Sequence, residues 1–352
     1  MVLGCDKMLA IFKNIGKGTS YEFNKHALYT PLPSRNRSEE KVKMSEIDNE
    51  WCDKHGNKYN LSDNILLITA NEFFPNEGYS VIDYINEIPE SVDVTIMLKV
   101  KTKKNEVAGF NELCNMLSTY PTKKDLILNV TEMEFCETMS LDIDELPSNI
   151  KITSQMDRTL NENFIFSNQS FESWAMNCND KDFSLLLSKL TPQTAERISR
   201  MRKICTNFYI YTPDAIKSAS NYQKTLFAYD WCCTNVNYDT SATNADGTLK
   251  YERKDSQDPI VTFENRMGVC EGRARLLKLL LNNFYMRVPC FLVKGMSGRL
   301  QHTWNEILLE NDTIIDLDIS KQKNRIANNH SELAAYQDGS ESNKSSSKRI
   351  IM

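Results

Sequence analysis

The spacing of apolar residues changes along this chain, and the changes mark its elements. Residues 1–58 show no period, and TPLPSRNRSEEKVK (30–43) reads as a polar arm or linker. From about 59, short apolar runs with β-branched residues predict strands at NILLITA (64–70), VDVTIMLKV (92–100), LILNV (126–130), IKIT (150–153) and NFIFSN (163–168). Between the first three, YSVIDYINEI (79–88) and EVAGFNELCNMLSTY (106–120) carry apolar residues at helical spacing. Strand and helix in alternation predict a small α/β unit. A degenerate leucine-rich solenoid is the second reading: DELPSNIKI (144–152) has that flavour, but strand starts near 65, 94, 126 and 150 keep no fixed period.

Residues 171–238 read as mostly helical. Thr191-Pro192 opens one helix, and Thr212-Pro213-Asp214 opens the next, which is expected to run through NYQKTLFAYDWCCTNV (221–236). Residues 239–262 read as a long polar loop. GVCEGRARLLKLLLNNF (268–284) then predicts a helix, VPCFLVKG (288–295) a strand, and QHTWNEILL (301–309) with TIIDLDIS (313–320) a hairpin around Glu310-Asn311-Asp312. From about 323 the chain is polar and serine-rich, a tail. The expected organisation is an arm (1–58), an α/β domain of unknown role (59–170), a domain carrying the helix and hairpin (171–322) and the tail (323–352).

Composition narrows the classes. The 352 residues are 41% hydrophobic and 25% charged, an ordinary globular balance. A net charge of −5 argues against nucleic acid as a partner. No apolar run reaches the roughly 20 residues of a membrane span. MVLGCDKMLAIF lacks the layout of a secretory signal, and a lipoprotein-type box ending at Cys5 has no leader before it, so the expected location is cytoplasmic, with export by another route left open. Ten cysteines at irregular spacing, without a C-x-x-C pair, predict reduced thiols and no metal or other cofactor. Oligomeric state is not legible. Only four histidines occur, so histidine chemistry has few candidates.

Cys270 differs from the other cysteines by its place. Leu276, Leu277, Leu280, Leu281 and Phe284 form one apolar stripe, with Lys278, Asn282 and Asn283 on the other side. Gly268 and Gly272 allow a sharp entry and close approach of other groups, which puts Cys270 in the first turn. There, free N–H groups and the macrodipole favour a thiolate and can hold an oxyanion. The bland alternative is a small buried hydrophobe at a tight turn.

A nucleophilic thiol needs a base, and the base needs an orienting group. In a strand, His302, Trp304 and Glu306 share one face. Asp316 and Asp318 stand in an Ile/Leu-rich strand, where acids are costly unless paired. Simple antiparallel register sets His302 opposite Ser320, makes Asp318 its diagonal neighbour about 7–8 Å away, and leaves Asp316 facing Glu306. Asp318 is therefore the expected orienting acid, with Asp316 as the alternative.

GVCEGRARLLKLLL (268–281), HTWNEILL (302–309) and DIS (318–320), in that order, resemble the core of the transglutaminase-like superfamily, which shares a papain-like fold. AYDWCCTNVNYDTS (228–241) looks like the helix and tyrosine that precede the nucleophile in bacterial members, and the resemblance covers about 215–320. It implies an α+β fold, the cysteine helix packed on an antiparallel sheet carrying His and Asp. It also implies a Cys270–His302–Asp318 triad, with Asp318 selected again by Ser320 in the place of the family's threonine. Arg273 departs from an aromatic common in members, and Ile314 or a neighbour replaces another. Trp231 and Tyr238 are candidates for the second oxyanion donor or a substrate contact.

The implied reaction is attack by the Cys270 thiolate on a carbonyl, giving a thioester. Water on a peptide thioester makes a cysteine protease, the first expectation, with a protein or peptide substrate. A glutamine substrate makes a transglutaminase or deamidase, and a non-catalytic interaction module on the same fold is the further alternative. No EF-hand loop or C-x-x-C zinc element is present to favour the calcium-dependent cross-linking or glycanase members.

Overall fold

In a computed structural model, the residues described are 50–52, 57–62, 65–70, 81–88, 95–100, 117–118, 122, 124–131, 133, 135, 143, 146–154, 169–297, 300–310, 312–320 and 350–351. The arm before 50, the run at 163–168, most of the helix expected at 106–120 and nearly all of the tail lie outside them. The described residues form an α+β fold.

The chain divides into two compact units, Met1–Asp157 with Ile165–Trp174 and Ser184–Ala195, and Arg158–Phe164 with Ala175–Phe183 and Glu196–Met352. The first holds a six-stranded sheet of β1 (Glu50–Cys52), β2 (Lys58–Ser62), β3 (Ile65–Ala70), β4 (Thr95–Val100), β5 (Leu126–Asn129) and β6 (Ile150–Thr153), in sequence order. Helix α1 (Val81–Glu87) lies between β3 and β4 in the chain. β1 to β3 are antiparallel and β3 to β6 parallel. The sheet thus reaches back to Glu50, into the stretch that the sequence reads as an arm. Leu66, Ile96, Leu126 and Ile150 stand in one cross-strand row, and Ile68, Leu98, Leu128 and Ile152 in the next, all nearly inaccessible.

Three helices follow, α2 (Gln169–Asn177), α3 (Asp180–Lys189) and α4 (Pro192–Tyr211). The helix expected from Pro213 is broken in two: α5 (Asp214–Lys217) stops, and α6 (Asn221–Asn235) starts afresh. Ser220 caps the Gln223 N–H while the Gln223 side chain reaches back, a capping box that ends one helix and begins the other.

The stretch 239–262 is ordered rather than a plain loop. Buried Asp239 organises it: one carboxylate oxygen accepts from the Ser241 N–H and hydroxyl, the other from Arg253 and Ser256. Asp258 then caps α7 (Pro259–Asn265), with proline at its start.

The second sheet runs β11-β10-β9-β12, all antiparallel, with β9 (Cys290–Ser297), β10 (Leu300–Leu308), β11 (Ile314–Leu317) and β12 (Ile350–Ile351). Helix α8 (Cys270–Leu281) packs against β9 and β10 on one side and α6 and α7 on others. It is buried almost all round, Leu279 included, so a single stripe understates it. Asn282 and Asn283, expected on the outer side, are buried at its end. Asn283 donates to the Leu279 and Leu280 carbonyls and accepts from the Tyr285 and Met286 N–H groups, which satisfies the helix terminus.

Candidate active site

Local packing fixes where Cys270 sits. Two short strands, β7 (Asn237–Tyr238) and β8 (Met267–Gly268), pair in parallel, Tyr238 beside Gly268. Val269 then donates its N–H to the Ser256 carbonyl and becomes the residue before α8, leaving Cys270 at the first helical position. A Cβ at Gly272 would lie 2.1 Å from the Ser256 carbonyl oxygen, and one at Gly268 2.5 Å from the Thr262 hydroxyl. Both glycines are needed for close approach, not for unusual dihedrals.

His302 comes to the same place from β10. Buried Asn305 ties that strand to the cysteine helix, donating to the Ala274 carbonyl at 2.9 Å and to the Cys290 sulfur at 3.4 Å. Across the hairpin, Glu306 pairs with Asp316 and Asn305 with Leu317, the register that sets His302 opposite Ser320. Asp318 Oδ2 lies 2.8 Å from His302 Nε2, and its other oxygen accepts the Ser320 N–H at 2.9 Å. Cys270 lies near enough to the imidazole to count, after Asp318, among the groups that raise its pKa.

Charge follows geometry. The Asp318 hydrogen bond, then the Cys270 contact, raises the His302 pKa to about 9 against the opposing effect of burial. Burial works against the Asp318 charge, but the His302 contact and the Ser320 N–H outweigh it and hold the carboxyl at about 2. The pair is an imidazolium and a carboxylate over most of the pH range. Cys205, wholly buried, has its thiol pushed up to about 12, and burial raises Cys178 to about 11.

Asp316 is elsewhere. It is exposed and accepts from the Trp304 indole at 3.3 Å. Trp304 in turn lies parallel to the His302 ring, 6.1 Å between centroids, and covers Gly295, where a Cβ would come within 2.7 Å of the indole. Tyr238 is at Cys270: burial, then the electrostatic effect of the neighbouring Cys270, raises its phenol pKa, while contact with the Cys270 backbone opposes. Trp231 makes other contacts, stacked on Phe263, edge-on to Phe208 and under the Arg266 guanidinium.

The structure thus brings together Cys270, His302, Asp318 and Tyr238, and sets Asp316 and Trp231 in other contacts. Asn305, Gly295 and Asp239 were not singled out by sequence. A polar Asn between Trp304 and Glu306 in an apolar strand was the available signal for the first. Among the described residues, no group of three or more His, Cys, Asp or Glu is placed to hold a metal ion, and no helix is long and apolar enough to cross a membrane.

No family profile matches the chain, and no curated protein matches it. Among solved structures, it is similar to a candidate cysteine protease from Cytophaga hutchinsonii (20% identity, TM-score 0.24, 35% of this chain and 38% of that one). It is also similar to a transglutaminase (13% identity, TM-score 0.32, 56% of this chain and 59% of that one). The chain spans less than two thirds of the length of either.

Proposed function

We propose that this protein is a thiol-dependent acyl-transfer enzyme of the transglutaminase-like kind, acting as a cysteine peptidase. Residues 171–322 form the catalytic domain of this reading. The observation that supports it is the His302–Asp318 pair at 2.8 Å, with Cys270 among the groups that raise the imidazole pKa.

Cys270 is the nucleophile. Its sulfur attacks the substrate carbonyl with the electrons of the thiolate, and His302, as imidazolium, donates its proton to the leaving amine. The resulting thioester is resolved when His302, now neutral, takes a proton from water as water attacks. Asp318 keeps the imidazole in its tautomer and orientation throughout. Tyr238, against the Cys270 backbone, is the candidate for steadying negative charge on the substrate oxygen. The helix start supplies a second source of N–H groups.

A peptide substrate with water as acceptor is the leading reading, and transfer to an amine is the second. Incubation with casein, with and without a labelled primary amine, separates them. New fragments that disappear in Cys270→Ala support the peptidase, and label on casein supports the transferase. Neither product, from folded protein, rejects acyl transfer on these substrates and favours a binding module.

A further inference from the structure

Several charged side chains around Cys270 are ion-paired. On its own helix, Glu271 is bound by Arg275 at 2.5 Å and Lys294 at 3.0 Å. Asp239 is bound by Arg253 at 2.6 Å, Asp258 by Arg197 at 2.5 Å, and Asp318 by His302 at 2.8 Å. Glu306, buried on the His302 face of β10, has interactions of its own. Arg273 stands apart. It is 1% exposed, the largest of the fully buried side chains, and none of its three guanidinium nitrogens has a hydrogen-bond partner.

Its place is informative. Three residues after Cys270 on α8, it lies one turn along the same side of the helix. Tyr229, Cys232 and Cys233 of α6, Asp318 beyond β11 and Tyr238 of β7 are all within reach of its charge. The two thiols are no counter-ions, since burial pushes both away from the thiolate. A neutral side chain of similar size fills such a space without the cost of stripping water from a guanidinium. Packing alone therefore does not account for an arginine here. The resemblance makes the same point, since members commonly carry an uncharged ring at this position.

We propose that Arg273 is a positioning residue, a fixed and unneutralised positive charge beneath the Cys270 turn. It steadies negative charge as it forms at the Tyr238 hydroxyl and on the Cys270 sulfur one helical turn away. Arginine suits the task because it stays protonated even when buried. This rests on the thiol chemistry proposed above.

The test is the rate of Cys270 alkylation by iodoacetamide against pH, read by peptide mass spectrometry, in the wild type, Arg273→Tyr, Arg273→Met and Arg273→Lys, each with a melting curve. Loss of a nearby positive charge disfavours an anion. The neutral variants are expected to need a pH about one unit higher for half-maximal alkylation, and to react about tenfold more slowly on the acid side. Arg273→Lys is expected to fall between the wild-type and neutral profiles, because a buried ammonium gives up its proton more readily than a guanidinium. A folded neutral variant with an unmoved profile, whatever its melting temperature, overturns the proposal and leaves a packing role. If neither Arg273→Tyr nor Arg273→Met folds, Arg273→Gln decides: a profile shifted upward supports the charge, and an unmoved profile overturns it. A wild type whose Cys270 reacts no faster than its other cysteines below about pH 8 sinks the acyl-transfer reading itself, before any variant is compared.

Discussion

His302 Nε2 and Asp318 Oδ2 lie 2.8 Å apart across the diagonal of a hairpin, while Asp316, two residues earlier, bonds Trp304. Two residues apart on one side of the ribbon, the two acids are separated along its length: one meets the imidazole, the other a neighbouring indole at the surface. Substitution should separate them too. Asp318→Asn is expected to lower kcat/KM on a cleaved peptide by about 10³–10⁴-fold while the fold is kept. Asp316→Asn should cost far less. Steady-state kinetics of the two variants check this, and the reverse order contradicts the assignment.

The charge pair sets a pH window. The His302 pKa is raised to about 9 by Asp318 and Cys270, so the folded state holds this proton more tightly than the unfolded chain. Its contribution to stability is complete below the unfolded value of about 6.5 and is lost as pH rises through about 9. Imidazole NMR can follow it, since the chain has only four histidines and His302→Gln assigns the signal. A midpoint near 9 is expected in the wild type, falling toward 6.5 in Asp318→Asn.

Gly272 is a test of how the cysteine is placed. An added Cβ would meet the Ser256 carbonyl at 2.1 Å, a backbone atom that cannot rotate aside. Gly272→Ala is expected to cost about 2–4 kcal/mol in denaturant unfolding and to slow Cys270 alkylation. Gly268→Ala meets the buried Thr262 side chain instead, its hydroxyl at 2.5 Å and its methyl at 2.7 Å, so turning that side chain exchanges one clash for the other and a comparable cost is expected.

Asn305 links the strand bearing the histidine to the helix bearing the cysteine. Asn305→Leu removes the donor to the Ala274 carbonyl and leaves that acceptor buried. A loss of about 1–3 kcal/mol is expected, together with reduced turnover, and chemical denaturation alongside kinetics measures both.

What was legible in the sequence follows from which signals are local. Strands β3 to β6 announce themselves because period-two patterning is written into Leu66, Ile68 and their equivalents. The hairpin register was countable because three residues, 310–312, fix it. The break at Ser220 was overlooked because a capping box is a four-residue feature inside a stretch with continuous helical spacing. Asp239 was hidden for a different reason: its partners are 2 to 17 residues away, along a segment whose polar side chains look solvated until they converge on one carboxylate. The burial of Arg273 is a tertiary fact that no helical pattern states, since Lys278 and Arg275 on the same helix remain partly exposed.

The most direct measurement is iodoacetamide labelling of the native wild-type protein at about pH 7, with each cysteine peptide quantified over time. Cys270 is predicted to label first and fastest, ahead of Cys178, Cys205, Cys232, Cys233 and Cys290, and to lose that lead in His302→Ala. Labelling that follows accessibility alone, with Cys270 no faster than other reachable thiols and indifferent to His302, would contradict the account.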